Sequence, residues 1–145
     1  ITDFSIFCAL WTDINPSFKG DSITVFVPTD EAFNHFYDLF DEADVTIDDE
    51  ILEEIFLFHS TPGTILSTDF ECGGLLKMME NGSSRTKCET TKGERDYFTV
   101  QGSGNSKNNI IPVIGIPDLE TICGERSIVH VISEVLLPNF VEELQ

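Results

Sequence analysis

Histidines, cysteines and carboxylates are the residues of this chain that could do chemistry, and their spacing decides what chemistry remains open. His35, His59 and His130 are scattered. No HExxH places two imidazoles one helical turn apart to share a zinc ion, and no GxSxG elbow presents a serine nucleophile. Gly102-Ser103-Gly104 has the spacing of neither a P-loop nor a GxGxxG phosphate cradle, so it reads as a loop. Carboxylates are abundant, 26 Asp and Glu against 8 Lys and Arg, yet spacing assigns none of them to an acid–base pair. The acidic run Asp38–Asp49 prompts a calcium question. An EF-hand loop needs an oxygen ligand at its third position and Gly at its sixth. Counting from Asp38 the third position is Phe40, and from Asp44 the sixth is Asp49, so the motif fails and only a loosely organised cation site is left. No catalytic residue, no metal and no cofactor is expected.

Cys8, Cys72, Cys88 and Cys123 form no CxxC pair. An even count without metal spacing points to two disulfides and an oxidising compartment. Three pairings are open. Closing the short loop from Cys72 to Cys88 contributes about 3 kcal/mol in the chain-entropy treatment, which leaves Cys8 with Cys123; four buried thiols are the alternative. Asn81-Gly82-Ser83 is both a hairpin-turn signal and an N-glycosylation sequon. Asn15-Pro16-Ser17 is blocked as a sequon by its proline.

The formal charge of −18 on 145 residues argues against a nucleic-acid partner, which requires a basic face, and against charge-driven adhesion to anionic lipid. It fits a solvated acidic surface, a basic partner, bridging by divalent cations, or a salty medium. No run approaches the roughly 18–20 apolar residues of a membrane span. The chain opens on Ile1 inside a helical pattern with no signal peptide before it, so it is taken as a mature or trimmed fragment whose missing ends could carry a signal or an anchor.

The elements that must position these side chains are organised around Ser22–Phe40. Ile23–Val27 is a β-branched and aromatic run of strand length, stopped by Pro28. Thr29 is an N-cap, Asp30 and Glu31 suit the first turn of a helix, and Phe33, Phe36, Tyr37 and Phe40 form one apolar stripe. A helix over Ile1–Trp11 aligns Phe4, Phe7, Cys8 and Trp11. Another, capped by Asp48 or Asp49, aligns Ile51, Leu52, Ile55, Phe56 and His59 and is ended by Thr61-Pro62-Gly63. From Arg85 the pattern turns to strands: Thr86–Thr91, Tyr97–Val100, a polar turn through Gly102–Asn109, then Ile110–Ile114 with Pro112 marking an edge or bulge. Ile128–Ile132 is apolar on both faces, the pattern of a central covered strand. Val135–Pro138 is expected to close the sheet. His59 and His130 both read as core histidines, and Asp118 as the cap of a short turn.

Thr24-Val25-Phe26-Val27-Pro28-Thr29-Asp30-Glu31-Ala32-Phe33 resembles the first homology box of the fasciclin domain. Ile128-Val129-His130-Val131-Ile132-Ser133-Glu134-Val135-Leu136-Leu137-Pro138 resembles the second. Phe58-His59 stands between them where the family carries Tyr-His, a region implicated in integrin-dependent adhesion. Pro117-Asp118-Leu119 is similar to part of a Glu-Pro-Asp-Ile-Met adhesion segment, while Cys123–Ser127 replaces the Asn-Gly pair that usually precedes the second box. Helical patterns before Gly63 and strand patterns after it indicate an α+β protein. The resemblance implies a fasciclin-like fold: a twisted β-sandwich or wedge with several helices packed on one side, residues 1–145 forming one such domain, with Ser22–Val27 joining later strands. It also implies an extracellular adhesion or recognition module, secreted or anchored at the cell surface, binding a protein or glycan of the cell surface or matrix. Tandem fasciclin domains in the full-length protein follow from the same likeness. The positions it marks for partner binding are Phe58, His59, Pro117, Asp118 and Leu119; Asn81 is the glycosylation candidate. The alternative function is an acidic matrix component bridging through calcium or basic partners without a specific loop, and a lipid or small-molecule carrier is a third reading.

Overall fold

The computed structural model describes residues 4–14, 23–79, 82–91 and 94–141; Asn81, the glycosylation candidate, falls outside them. A four-stranded sheet carries the strands β1 (Ile23–Pro28), β2 (Ser60–Pro62), β6 (Ile114–Ile122) and β7 (Glu125–Ile132) in the order β2-β1-β7-β6. β1 runs parallel to β7, with Val25 opposite Val129 and Val27 opposite Val131. The other pairs are antiparallel. A second antiparallel sheet has the order β3 (Leu75–Lys77), β4 (Ser83–Thr91), β5 (Glu94–Gln101).

Because side chains alternate across a strand, β1 and β7 serve two cores. Val25, Val27, Val129 and Val131 face the helices α1 (Ser5–Ile14), α2 (Asp30–Glu42) and α3 (Asp49–Leu57) and pack with Phe7, Phe33, Phe36, Ile55 and Phe56. Phe26 and Ile132 face the other way and pack with Phe70, Met78, Val100, Leu136 and Phe58. All six residues of β1 are buried, as its position between two covered faces requires. The fold is therefore an open sandwich with helices on one side, the fasciclin-like α+β architecture that the residue pattern and resemblance pointed to. Thr29 caps α2 by accepting from the Ala32 N–H, and Asp48 caps α3 by accepting from the Ile51 N–H.

Several local expectations are corrected. α3 ends at Leu57, and Thr61-Pro62 belongs to β2 rather than to a helix stop. Pro62 is tolerated because β2 is an edge strand. The expected polar turn after β5 contains a short helix, α4 (Ser103–Lys107). Ile110–Val113 lies outside the named strands, meeting β5 at a bridge between Thr99 and Val113 where the Val100 N–H donates to the Pro112 carbonyl, and β6 starts at Ile114. Pro117–Leu119 lies inside β6, not in a turn; successive register shifts against β7 bulge the strand there. Val135–Pro138 forms no strand. It is a buried irregular segment held by side chains.

Disulfides join Cys8 to Cys123 and Cys72 to Cys88. The first ties α1 to the β6–β7 turn. The second ties the segment before β3 to the middle of β4, closing a loop of 16 residues. Replacing Cys72 and Cys88 together by serine is expected to lower unfolding free energy by about 3 kcal/mol. Urea denaturation against the bridged protein checks this, and an unchanged midpoint would count against it.

Candidate functional site

Asp118, His130 and Ser67 converge from three segments far apart in sequence. The bulge in β6 puts Asp118 in the left-handed backbone region, φ 61°, a conformation that Asp tolerates better than most residues. Its N–H donates to His130 Nδ1 at 3.1 Å. His130 Nε2 lies 2.8 Å from the Ile65 carbonyl. A carbonyl only accepts, so Nε2 carries the proton and Nδ1 is the acceptor. The imidazole is fully buried, between Phe26 and Phe70. Burial holds its pKa below the ordinary histidine value, although the Ile65 hydrogen bond and the Asp118 carboxylate 4.0 Å away oppose that shift.

The Asp118 carboxylate turns outward and accepts from the Ser67 N–H at 2.7 Å and from the Ser67 hydroxyl. Partial desolvation works to raise its pKa, but the two Ser67 hydrogen bonds and the neighbouring imidazole together hold it below the usual aspartate value. The carboxylate is thus charged at neutral pH, over a third exposed and fixed in direction. Exposed Ile116 and Leu66 lie on the same two segments, and Pro117 is exposed beside them. The site thus presents one anchored negative charge with exposed apolar neighbours.

A family model of the fasciclin domain matches residues 2–138. The chain belongs to the fasciclin-domain family. Its structure is similar to a FAS1 domain pair from the insect cell adhesion molecule fasciclin I, with a TM-score of 0.59, 18% identity, and coverage of 88% of this chain and 40% of that one. The chain thus spans less than half the length of that solved structure. No curated protein sequence matches significantly.

In this fasciclin domain the two candidate groups separate. Phe58 and His59 are only 1% and 2% exposed, which corrects the expectation that they meet a partner directly: both are fold-forming. His59 Nδ1 bonds the Ile55 carbonyl at 2.9 Å, and Nε2 accepts from the Leu136 N–H at 2.9 Å. This fixes the proton on Nδ1, the opposite tautomer to His130. Burial depresses the His59 pKa to about 4 against opposing hydrogen bonds to Ile55 and Phe56. Pro117 and Asp118 are exposed, whereas Leu119 is half-buried and packs on the helical core. The residue that sequence reasoning missed is Ser67, the brace of Asp118. Its Ser-Thr-Asp run, capped where Asp69 accepts from the Leu66 N–H, was a turn signal, but nothing local pairs it with a strand 51 residues on.

The third histidine, His35, bonds Glu134 at 2.6 Å on the surface. Asp38, Asp41 and Asp44 line an open hollow at the end of α2. Among the described residues no three His, Cys, Asp or Glu side chains converge to hold a metal ion. No described helix is long and apolar enough to cross a membrane.

Proposed function

We propose that this chain is a single recognition domain acting outside the cell, secreted or surface-anchored, with tandem copies elsewhere in the full-length protein. Its partner is a protein or glycan of the cell surface or matrix, met through the bulge Ile116-Pro117-Asp118. Membership of an adhesion-related family supports the reading, and the two disulfides accord with an oxidising compartment. The observation that carries it is Asp118: exposed, charged and locked in direction by Ser67 and His130. Side chains held in one geometry before binding lose less entropy on contact. Leu119, Phe58 and His59 act behind the surface by holding that geometry, and a glycan on Asn81 is part of the same proposal.

The test is binding of the folded domain to cells or matrix of its own source, with and without chelator. Asp118→Asn keeps an acceptor for Ser67 but removes the charge. It is expected to lose about tenfold or more in affinity, since a charge-assisted contact is worth roughly 1.5–3 kcal/mol. Circular dichroism must first show that the variant is folded. Equal binding by wild type and variant that vanishes with chelator would replace this reading with bridging by an acidic surface.

A further inference from the structure

Five of the eight Lys and Arg residues of this acidic chain fall between Lys77 and Arg95, where only Glu80, Glu89 and Glu94 oppose them. Three of the five, Lys77, Arg85 and Lys87, are exposed on β3 and β4. Arg85 and Lys87 share the outer face of β4, since Ser84 and Thr86 on the alternate face are buried. Lys77 joins them there: it stands opposite Ser83 in the ladder, and opposed residues share a face. Among the described residues none of the three pairs with a carboxylate, although the chain carries 26 Asp and Glu. Like charges set side by side repel. No carboxylate of the chain relieves them, and an anionic partner would. The acidic helices α2 and α3 lie on the other side of the larger sheet, across both core layers. At a screening length of about 8 Å they do not cancel the local field.

Beside this face is an open cavity of about 640 Å3 lined by Leu75, Gly82, Ser83, Ser103, Asn139 and Phe140. Arg85 stands directly across from Leu75 in the β3–β4 ladder, as Lys77 does from Ser83. Each cation therefore neighbours a lining residue on the same face. Arg85 Nη1 donates to the Gly73 carbonyl at 2.6 Å, which holds the guanidinium in place and leaves most of its five N–H donors for a carboxylate. The far wall is held as well. Lys107 Nζ donates to the Asn139 carbonyl at 2.8 Å, and the Gly104 N–H donates to the Leu137 carbonyl. Ser83 and Ser103 offer hydroxyls, Asn139 a carboxamide, and Phe140 a ring that is 39% exposed. Hydroxyls and amides exchange hydrogen bonds with a sugar, and an exposed ring covers its apolar C–H face. Cations beside them select a sugar that carries carboxylates. An acidic peptide would use the cations but not this polar and aromatic wall.

We propose that the outer face of β3 and β4 binds a uronic-acid oligosaccharide: one sugar ring sits in the cavity against Phe140, and the carboxylates along the chain of sugars meet Arg85, Lys77 and Lys87. Nothing in this draws on Ile116–Asp118, so the two proposals fail separately.

The experiment is an amide-resolved NMR titration of this chain at about 0.15 M salt, made without N-glycans because Asn81 adjoins the lining residue Gly82. The probes are a galacturonate tetrasaccharide, its methyl ester as uncharged control, a hyaluronan tetrasaccharide, and acetyl-tetraglutamate amide. At least one of the two uronate saccharides is expected to shift the Leu75, Lys77, Ser83 and Phe140 amides saturably, about tenfold more tightly than the ester. Lys77→Gln with Arg85→Gln is expected to bring that saccharide down to the affinity of the ester. Lys77→Gln alone removes an ammonium that holds nothing else in the fold. It is expected to weaken binding severalfold with Tm unchanged, which separates lost contact from lost structure at Arg85. Phe140→Ala is expected to weaken the saccharide about tenfold and to leave the peptide unaffected. No saturable shift with either saccharide, the ester binding as tightly as its acid, or saccharide affinity unchanged in the double variant or in Phe140→Ala overturns the proposal. The peptide binding as tightly as the saccharides also overturns it, and assigns the face to an acidic protein.

Discussion

His59→Ala is expected to cost this domain about 4 kcal/mol at pH 8, combining the lost ring volume with a buried Leu136 N–H left without an acceptor. His59 is fully enclosed, and the Leu136 amide it accepts from lies 77 residues away. The Ile55 carbonyl keeps the Phe58 N–H as a second partner, so the orphaned amide and the cavity carry most of the loss. The effect depends on pH with a definite sign. The folded-state pKa of His59 is depressed to about 4, below the value of about 6.5 in an unfolded chain. The neutral ring's contribution is therefore complete above about pH 6.5 and is lost as pH falls through the window toward 4. Protonation would set a second N–H against the Leu136 donor. Between pH 8 and pH 5 the linkage amounts to about 2 kcal/mol. Acid also relieves repulsion within the −18 surface, but that effect is common to wild type and variant and cancels in their difference. Urea unfolding should therefore show the gap narrowing from about 4 kcal/mol at pH 8 to about 2 kcal/mol at pH 5. A gap that stays constant would mean that His59 titrates alike folded and unfolded. His130, also depressed by burial, acts in the same direction in both proteins.

Asn105→Ala is expected to be as damaging, about 4–5 kcal/mol, because one amide satisfies three buried backbone groups. Asn105 Oδ1 accepts from Gly102 N–H at 2.9 Å and from Leu137 N–H at 2.8 Å, and Nδ2 donates to the Val135 carbonyl at 3.0 Å. Val135–Pro138 has no sheet ladder, so its backbone is satisfied by Asn105, His59 and the Gly104 N–H, which donates to Leu137 O. Gly102 is the steric counterpart. A Cβ there would stand 2.3 Å from Leu137 O and 2.6 Å from the Phe58 ring, so Gly102→Ala must push one of them away. Hydrogen exchange at the Leu136 and Leu137 amides reads both variants. Protection should fall by far more at these two positions than at the β1–β7 ladder if the segment opens locally. Unchanged exchange at Leu136 and Leu137 in Asn105→Ala would show that the segment is held by packing alone.

Phe58 and His59 show how family resemblance and physical role can diverge. For both a surface role came from likeness; for His59 alone the helical stripe Ile51, Leu52, Ile55, Phe56 and His59 gave a core role, and both side chains are buried. Asp118 illustrates the reverse. It does act as a cap, but of the Ser67 turn rather than of its own neighbourhood, and it does so while exposed.

The sequence by itself determined whatever depends on neighbours along the chain. The apolar stripe Phe33–Phe40 and the caps Thr29 and Asp48 specify α2 and α3, because side chains three and four apart share a helix face. The two-sided apolar runs Ile23–Val27 and Ile128–Ile132 specify covered strands, because alternate residues face opposite layers. Only the tertiary structure decided what rests on groups brought together from a distance. Asp118 meets Ser67 and His130 meets the Ile65 carbonyl across 51 and 65 positions. Asn105 binds Leu137 across 32. Hydrogen bonds of this kind leave no periodic trace, since each is a single pair whose partner is chosen by the fold and not by spacing.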